Sequence, residues 1–246
     1  MTIVLAACDA KPKQPAIDIA ISYAGLPLTC QTRDNLKGWA VEQLQFFVSN
    51  IMVKGSEQQW RSVQLEDTQY QTKDVALISL ICDDERITEH NLSLKLSEEI
   101  AYEDIFEISF DLGIPFKDNH QNPLTQASPL NVASMFWVWR SGHKFMRVEM
   151  KTDTNAWWFH LGSTGCSSAS PVRAPAKACL NSNRFNYQLK TTSSRPVKIN
   201  FSLDKLLGEL ALSEHTSCQS EPDNSSCKLL FNNVQQSFNA VDAVNR

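Results

Sequence analysis

Residues 135–145, MFWVWRSGHKF, set two tryptophans two apart and a histidine four positions after the second. Indoles in such a row can stack on a sugar or pack a core, and imidazoles that converge beside them can hold a metal ion. On a β-strand, alternate side chains share a face. Read that way, Met135, Trp137, Trp139, Ser141 and His143 point to one side, and Phe136, Val138 and Arg140 to the other. The same strand puts His143 about 20 Å from Trp137 at the usual rise per residue. The chain has five histidines. His90 and His215 lie in polar stretches and read as solvated. His120 sits in a loop flanked by prolines, and His160 in WWFHLGSTGC, where an aromatic run meets a glycine turn and a cysteine.

Other chemistries leave no trace. There is no G-x-S-x-G, P-loop, H-E-x-x-H or C-x-x-C-H pattern. Asp83-Asp84 and Glu98-Glu99 fall in turn-like stretches and read as solvent-facing charge. The chain is therefore expected to bind rather than to catalyse. A net charge of −4 gives no basic stripe for nucleic acid. No apolar run is long enough to span a bilayer as a helix.

The elements that must position these residues are mostly strands. Strands read off at AIDIAISYAG, LQFFVSNIMVKG, DVALISLIC and EDIFEISFDLG, then FMRVEMKT, AWWFHLG, RFNYQLKT and VKINFSL; most alternate with period two, while DVALISLIC is almost wholly apolar, as a central strand would be. In the fourth, Ile105, Glu107, Ser109 and Asp111 alternate with Phe106, Ile108, Phe110 and Leu112. Short strands at regular spacing predict an all-β, two-sheet sandwich with long loops. One short helix is expected over 202–212, with Ser202 as N-cap. The polar segment 117–134 reads as a long loop.

The N-terminus ends its apolar run in Leu5-Ala6-Ala7-Cys8, the form of a bacterial lipobox in which Cys8 is lipidated. Residues 1–17 read as a truncated signal with its lipobox and tether, and 18–246 as a single β domain. A lipid anchor on Cys8 would be the only membrane contact and would hold the protein in the bacterial envelope, facing the periplasm. Asp9 would favour the inner membrane. Six further cysteines remain: Cys30, Cys82, Cys166, Cys179, Cys218 and Cys227. An even number in an exported chain suggests disulfides, although sequence alone leaves the connectivity open. No CxxC spacing favours a zinc site.

The order DLGIPFKDNHQNPLTQASPLN, MFWVWRSGHKFMRVE, HLGSTGC and CLNSNR follows GLPLTC, VEQLQFFVSNI and DVALISL. Over about residues 18–230 it resembles the MbnP-like family. These are exported four-Cys copper-binding proteins found beside methanobactin and other copper-homeostasis operons, also described as half of a "metallo-mystery pair". The resemblance implies copper, Cu(I) ahead of Cu(II). It also implies a partner di-haem protein, similar to cytochrome c peroxidases and MauG, that oxidises the first tryptophan of W-x-W to kynurenine. That role falls on Trp137. Opening the indole yields an aniline-type amine and a ketone, which can approach a metal as indole N–H cannot. The family's histidines fall on His120 and His160, with Trp139 packing beside the modified ring and Met135 and His143 as further candidate ligands. The chain departs from the pattern at His143, where relatives carry Tyr, and at Gln219, where they often carry Met.

The expected function is copper homeostasis by storage, handover or sensing. The alternative is an exported carbohydrate-binding or adhesion module, which needs exposed indoles where the copper reading needs them beside histidines. His120, His160 and Trp137 are expected to converge. Pairing across KTDTNA is expected to put Phe145–Val148 opposite the start of AWWFHL, and His160 near Ser141 or His143; a one-residue slip would turn His160 to the other face. Cys166 pairs with Cys179 and Cys218 with Cys227, each bracketing a polar loop that a local staple would order. Cys30 pairs with Cys82 by elimination.

Overall fold

Alternating apolar residues build two sheets that share one core. The computed structural model describes residues 16–30, 36–82, 87–90, 92–97, 105–191 and 197–241; Cys8 and most of the tether lie outside them. The strands are β1 (Ala16–Tyr23), β2 (Leu26–Pro27), β3 (Ala40–Lys54), β4 (Trp60–Ser62), β5 (Val75–Cys82), β6 (Ile87–His90) and β7 (Ser93–Lys95). There follow β8 (Glu107–Leu112), β9 (Lys144–Lys151), β10 (Ala156–Gly162), β11 (Phe185–Lys190), β12 (Val197–Ser202) and β13 (Phe238–Val241). The smaller sheet runs β13-β12-β1-β2, with β7 also on β1. The larger runs β10-β9-β3-β5-β6, and β8 joins β3 to β11. The expected all-β sandwich is what forms.

The core between the sheets is aromatic. Phe238 on β13 packs within 5.4 Å of Phe46 on β3 and of Phe110 on β8, 4.8 Å from Tyr187 on β11 and 5.1 Å from Phe201 on β12. Phe46 also meets Phe201 across the sheets, centroids 5.4 Å apart. In β8 the predicted alternation holds for Ile108, Phe110 and Leu112, all buried. It breaks just before the strand begins, where Ile105 is buried and Phe106 is exposed.

The three cysteine pairs form as expected, with Cα separations of 5.4 Å for Cys30–Cys82, 4.0 Å for Cys166–Cys179 and 5.1 Å for Cys218–Cys227. The helices need correction. The one expected over 202–212 is α2 (Leu203–Leu207) only, stopped by Gly208 at φ +52°. Ser202 holds the N-cap position as expected, but its hydroxyl donates to Asp204 Oδ1 rather than accepting a backbone N–H. A longer helix, α3 (Ser225–Val234), starts inside the polar Cys218–Cys227 loop and runs beyond it, where no helix is expected. Asn224 caps α3, accepting from the backbone N–H of Ser226 and Cys227. A one-turn helix, α1 (Phe116–Asn119), opens the 117–134 loop.

Candidate metal centre

The W-x-W segment is not a strand. After a 3-10 turn at Ala133–Met135, the chain reverses over 138–142. Ser141 and Gly142 both donate backbone N–H to Val138 O, Trp137 N–H donates to Gly142 O, and Phe136 bridges His143. The reversal needs Gly142, whose φ of +78° suits residues without a side chain and whose Cβ position lies 2.5 Å from Asn119 O. His143 is therefore directly across a tight loop from Phe136, the neighbour of Trp137, not far along a strand. Trp137 and Trp139 are both half-buried.

On the Trp139 side the structure gathers His120 and His143 around Asn119. Pro115 opens α1, and Asn119 closes it fully buried. Asn119 Oδ1 accepts the His143 backbone N–H at 2.8 Å, and its Nδ2 faces His120 Nε2 at 3.2 Å. The Trp139 indole N–H donates to His120 O at 2.6 Å, while His120 Nδ1 meets Trp139 O at 3.3 Å. A carbonyl only accepts, so Nδ1 carries the proton and Nε2 keeps its lone pair. Burial pushes the His120 pKa below its ordinary value, opposed by the Trp139 bond and reinforced by Arg184. His143 lies edge-on between Phe47 and Phe136, its two nitrogens facing Asn119 O at 3.1 Å and Leu130 O at 2.8 Å. Both nitrogens are thus engaged with protein. Met135 is fully buried in the core.

His160 has a different setting. β9 and β10 pair from Lys151↔Ala156 to Arg147↔His160, so the expected register fails: the start of β10 faces Lys151 and Met150, not Phe145–Val148. The cause is the turn. Thr152 Oγ1 accepts from the N–H groups of Thr154 and Asn155, closing a short loop that leaves Lys151 and Ala156 paired. Burial alternates through Met146, Val148, Met150 on β9 and Trp157, Phe159, Leu161 on β10. Arg147, Glu149 and His160 consequently share the other face. Glu149 takes a forked bond from Arg147, at 2.7 and 2.8 Å, and lies 2.8 Å from His160 Nε2. Burial raises the Glu149 pKa, but these hydrogen bonds and the Arg147 charge outweigh it and hold the carboxyl down to about 2. Burial likewise pushes the His160 pKa down, opposed by the Glu149 bond. A neutral His160 therefore donates Nε2–H to Glu149, and its buried Nδ1 has no partner among the described residues.

Trp137 links the two settings. An added Cβ at Gly162 would lie 2.6 Å from Trp137 Cζ3 and 2.8 Å from His143 O, so the indole rests on the bare backbone two residues after His160. Gly162→Ala is expected to lower stability by about 1–3 kcal/mol through overpacking and to shift the tryptophan emission maximum. Unchanged melting and emission would show that the ring is free to move. The segment Cys218–Ser220 closes the edge of β10: His160 N–H donates to Cys218 O, and Ser220 Oγ–H to His160 O. Gln219 lies on that segment.

His120 and His160 thus sit in separate hydrogen-bonded clusters. Among the described residues, His120 groups with Cys166 and Cys179, all ligand atoms within 4.8 Å of one another. Sequence reasoning missed Glu149, Arg147 and Asn119. Only the register could have shown the first two, since Glu149 is indistinguishable by type from a solvent-facing strand acid.

These features define a class: a two-sheet β-sandwich stapled by three disulfides, with candidate metal-binding groups of histidine and, where a disulfide opens, cysteine. Such staples fit an oxidising compartment, and no helix of the described residues is long and apolar enough to cross a membrane. The chain belongs to the MbnP family, whose family model matches residues 12–220. Among solved structures, MbnP from Methylosinus trichosporium matches with a TM-score of 0.74 at 19% identity, covering 89% of this chain and 87% of that one. At that identity the likeness is one of fold. No curated protein matches the chain.

Proposed function

We propose that this is a non-catalytic copper-binding protein of the bacterial envelope, anchored through Cys8, that serves copper storage, handover or sensing. The observation that carries it is the unpartnered, buried Nδ1 of His160, with Nε2–H fixed on Glu149. Metal-ligating imidazoles commonly donate their other N–H to a carboxylate, which sets the tautomer and raises the basicity of the ligating nitrogen. In this reading His160 ligates through Nδ1, and Trp137, whose ring rests on Gly162 two residues further on, is the residue that a di-haem peroxidase-like partner oxidises. His120 would contribute Nε2 once it leaves Asn119. Neutral nitrogen ligands suit Cu(I), which would supply the soft-acid binding chemistry here. The sugar-binding alternative is disfavoured by the half-buried indoles: the Trp139 N–H is committed to His120 O, and the Trp137 ring rests on Gly162.

The test is metal analysis of protein purified from its own host, with mass spectrometry of the peptide carrying Trp137. Stoichiometric copper supports the reading; absence of copper, together with failure of the purified chain to compete for Cu(I), rejects it. Acid should act on the metal-free protein in a defined direction. His120, His143 and His160 all have folded pKa values lowered by burial. As pH falls below about 6.5, the unfolded chain takes up protons that the folded one resists, so stability is lost. The melting temperature should fall between about pH 7 and about pH 5; a rise over that interval would contradict the assignment.

A further inference from the structure

We infer that Cys166, Cys179 and His120 form a second, soft-metal site that opens when the Cys166–Cys179 disulfide is reduced. This goes beyond the His160 reading and does not depend on it, although His120 is common to both.

The geometry is already close to that of a bound ion. His120 Nε2 stands 3.6 Å from Cys179 Sγ. With metal–sulfur and metal–nitrogen bonds of about 2.3 and 2.0 Å at a tetrahedral angle, ligand nitrogen and sulfur are separated by about 3.5 Å. The two cysteine Cα atoms are 4.0 Å apart, so both sulfurs stay near the imidazole when the bond between them opens. His120 presents the right nitrogen, because its N–H is committed to Trp139 O.

The other disulfides lack these properties. Cys227 Sγ faces a carboxylate oxygen of Glu221, a hard donor whose charge opposes thiolate formation, and both sulfurs of that pair belong to fully buried residues. Cys30–Cys82 joins no group of three or more His, Cys, Asp or Glu ligand atoms among the described residues. Cys166, by contrast, is half-buried between exposed Gly165 and Ser167. An external dithiol can therefore reach it. One reagent thiolate attacks Cys166 Sγ, the sulfur–sulfur bond breaks, and Cys179 leaves as thiolate. The second reagent thiol then resolves the mixed disulfide. The reagent gives two electrons and ends as a disulfide; the protein gains two thiols, whose protons are released when one Cu(I) binds.

The full chain, before and after anaerobic treatment with an immobilised dithiol, is titrated with Cu(I) against a chromophoric chelator. Reduction is expected to add one Cu(I) equivalent, held roughly tenfold or more tighter than any copper on the oxidised chain. Cu(I) should then shield Cys166 and Cys179 from alkylation in peptide mapping, a readout that needs no variant. The gain should vanish in Cys166→Ser/Cys179→Ser, shrink in His120→Gln and persist in His160→Ala. Weakened copper binding by oxidised His160→Ala tests the other reading separately. No gain on reduction, a gain that survives in Cys166→Ser/Cys179→Ser, or shielding confined to other cysteines would overturn the inference.

Discussion

Glu149→Ala is expected to weaken copper binding by the oxidised chain by about 10- to 100-fold, the usual effect of removing an outer-shell carboxylate. The loss acts through His160. Without the carboxylate, nothing among the described residues fixes the proton on Nε2, and the Nδ1 lone pair is no longer the favoured form. Arg147 also loses both of its partners on that carboxylate. Glu149→Gln separates the two consequences. Its amide oxygen can accept from His160 Nε2–H, so most of the copper affinity should return, while the ion pair with Arg147 stays lost. Competition titration of both variants, with melting curves of the metal-free proteins, provides the measurement. Equal copper affinity in wild type and Glu149→Ala would remove Glu149 from the site.

Phe238→Ala should be among the most destabilising single substitutions, at about 3–5 kcal/mol. Phe238 is buried at the meeting point of Phe46, Phe110, Tyr187 and Phe201, which come from four strands in both sheets. The backbone around a truncated side chain cannot collapse toward all four, so a cavity should remain. Denaturant unfolding would show a lower midpoint with little change in slope. A loss under about 1 kcal/mol would mean the two sheets do not depend on this contact.

How far these residues could be read from sequence depended on the range of the interaction. Strand alternation is local, and Ile108, Phe110 and Leu112 were readable from β8 alone. The cysteine pairs that bracket polar loops were equally local. The W-x-W segment misled because aromatic and β-branched residues favour strands, whereas one glycine with positive φ, packed on Asn119, decides the local path. α3 carried its own signal, Asn224 as cap with Cys227, Leu230 and Val234 buried at helical spacing. A cysteine-bracketed polar loop masked it. Glu149 was hidden for another reason. Its role exists only once β9 and β10 pair in one register, which goes with a tight turn over 152–155 that no residue type announces.

The pairing of β1 with β12 has a consequence for biogenesis. The two strands run parallel, Ile17 beside Val197 and Ser22 beside Ser202. The first described strand of the chain thus finds its main partner only after nearly everything else has been made. Contacts so distant in sequence slow folding, because the intervening chain must be ordered before they form. Until residues 197–241 emerge, β1 presents an open strand edge, and the aromatic cluster lacks Phe201 and Phe238. A chain cut short there should therefore aggregate rather than fold into a smaller sandwich. Such a protein is well suited to crossing a membrane as an unfolded thread and acquiring its shape only at the far side, after its last strand arrives.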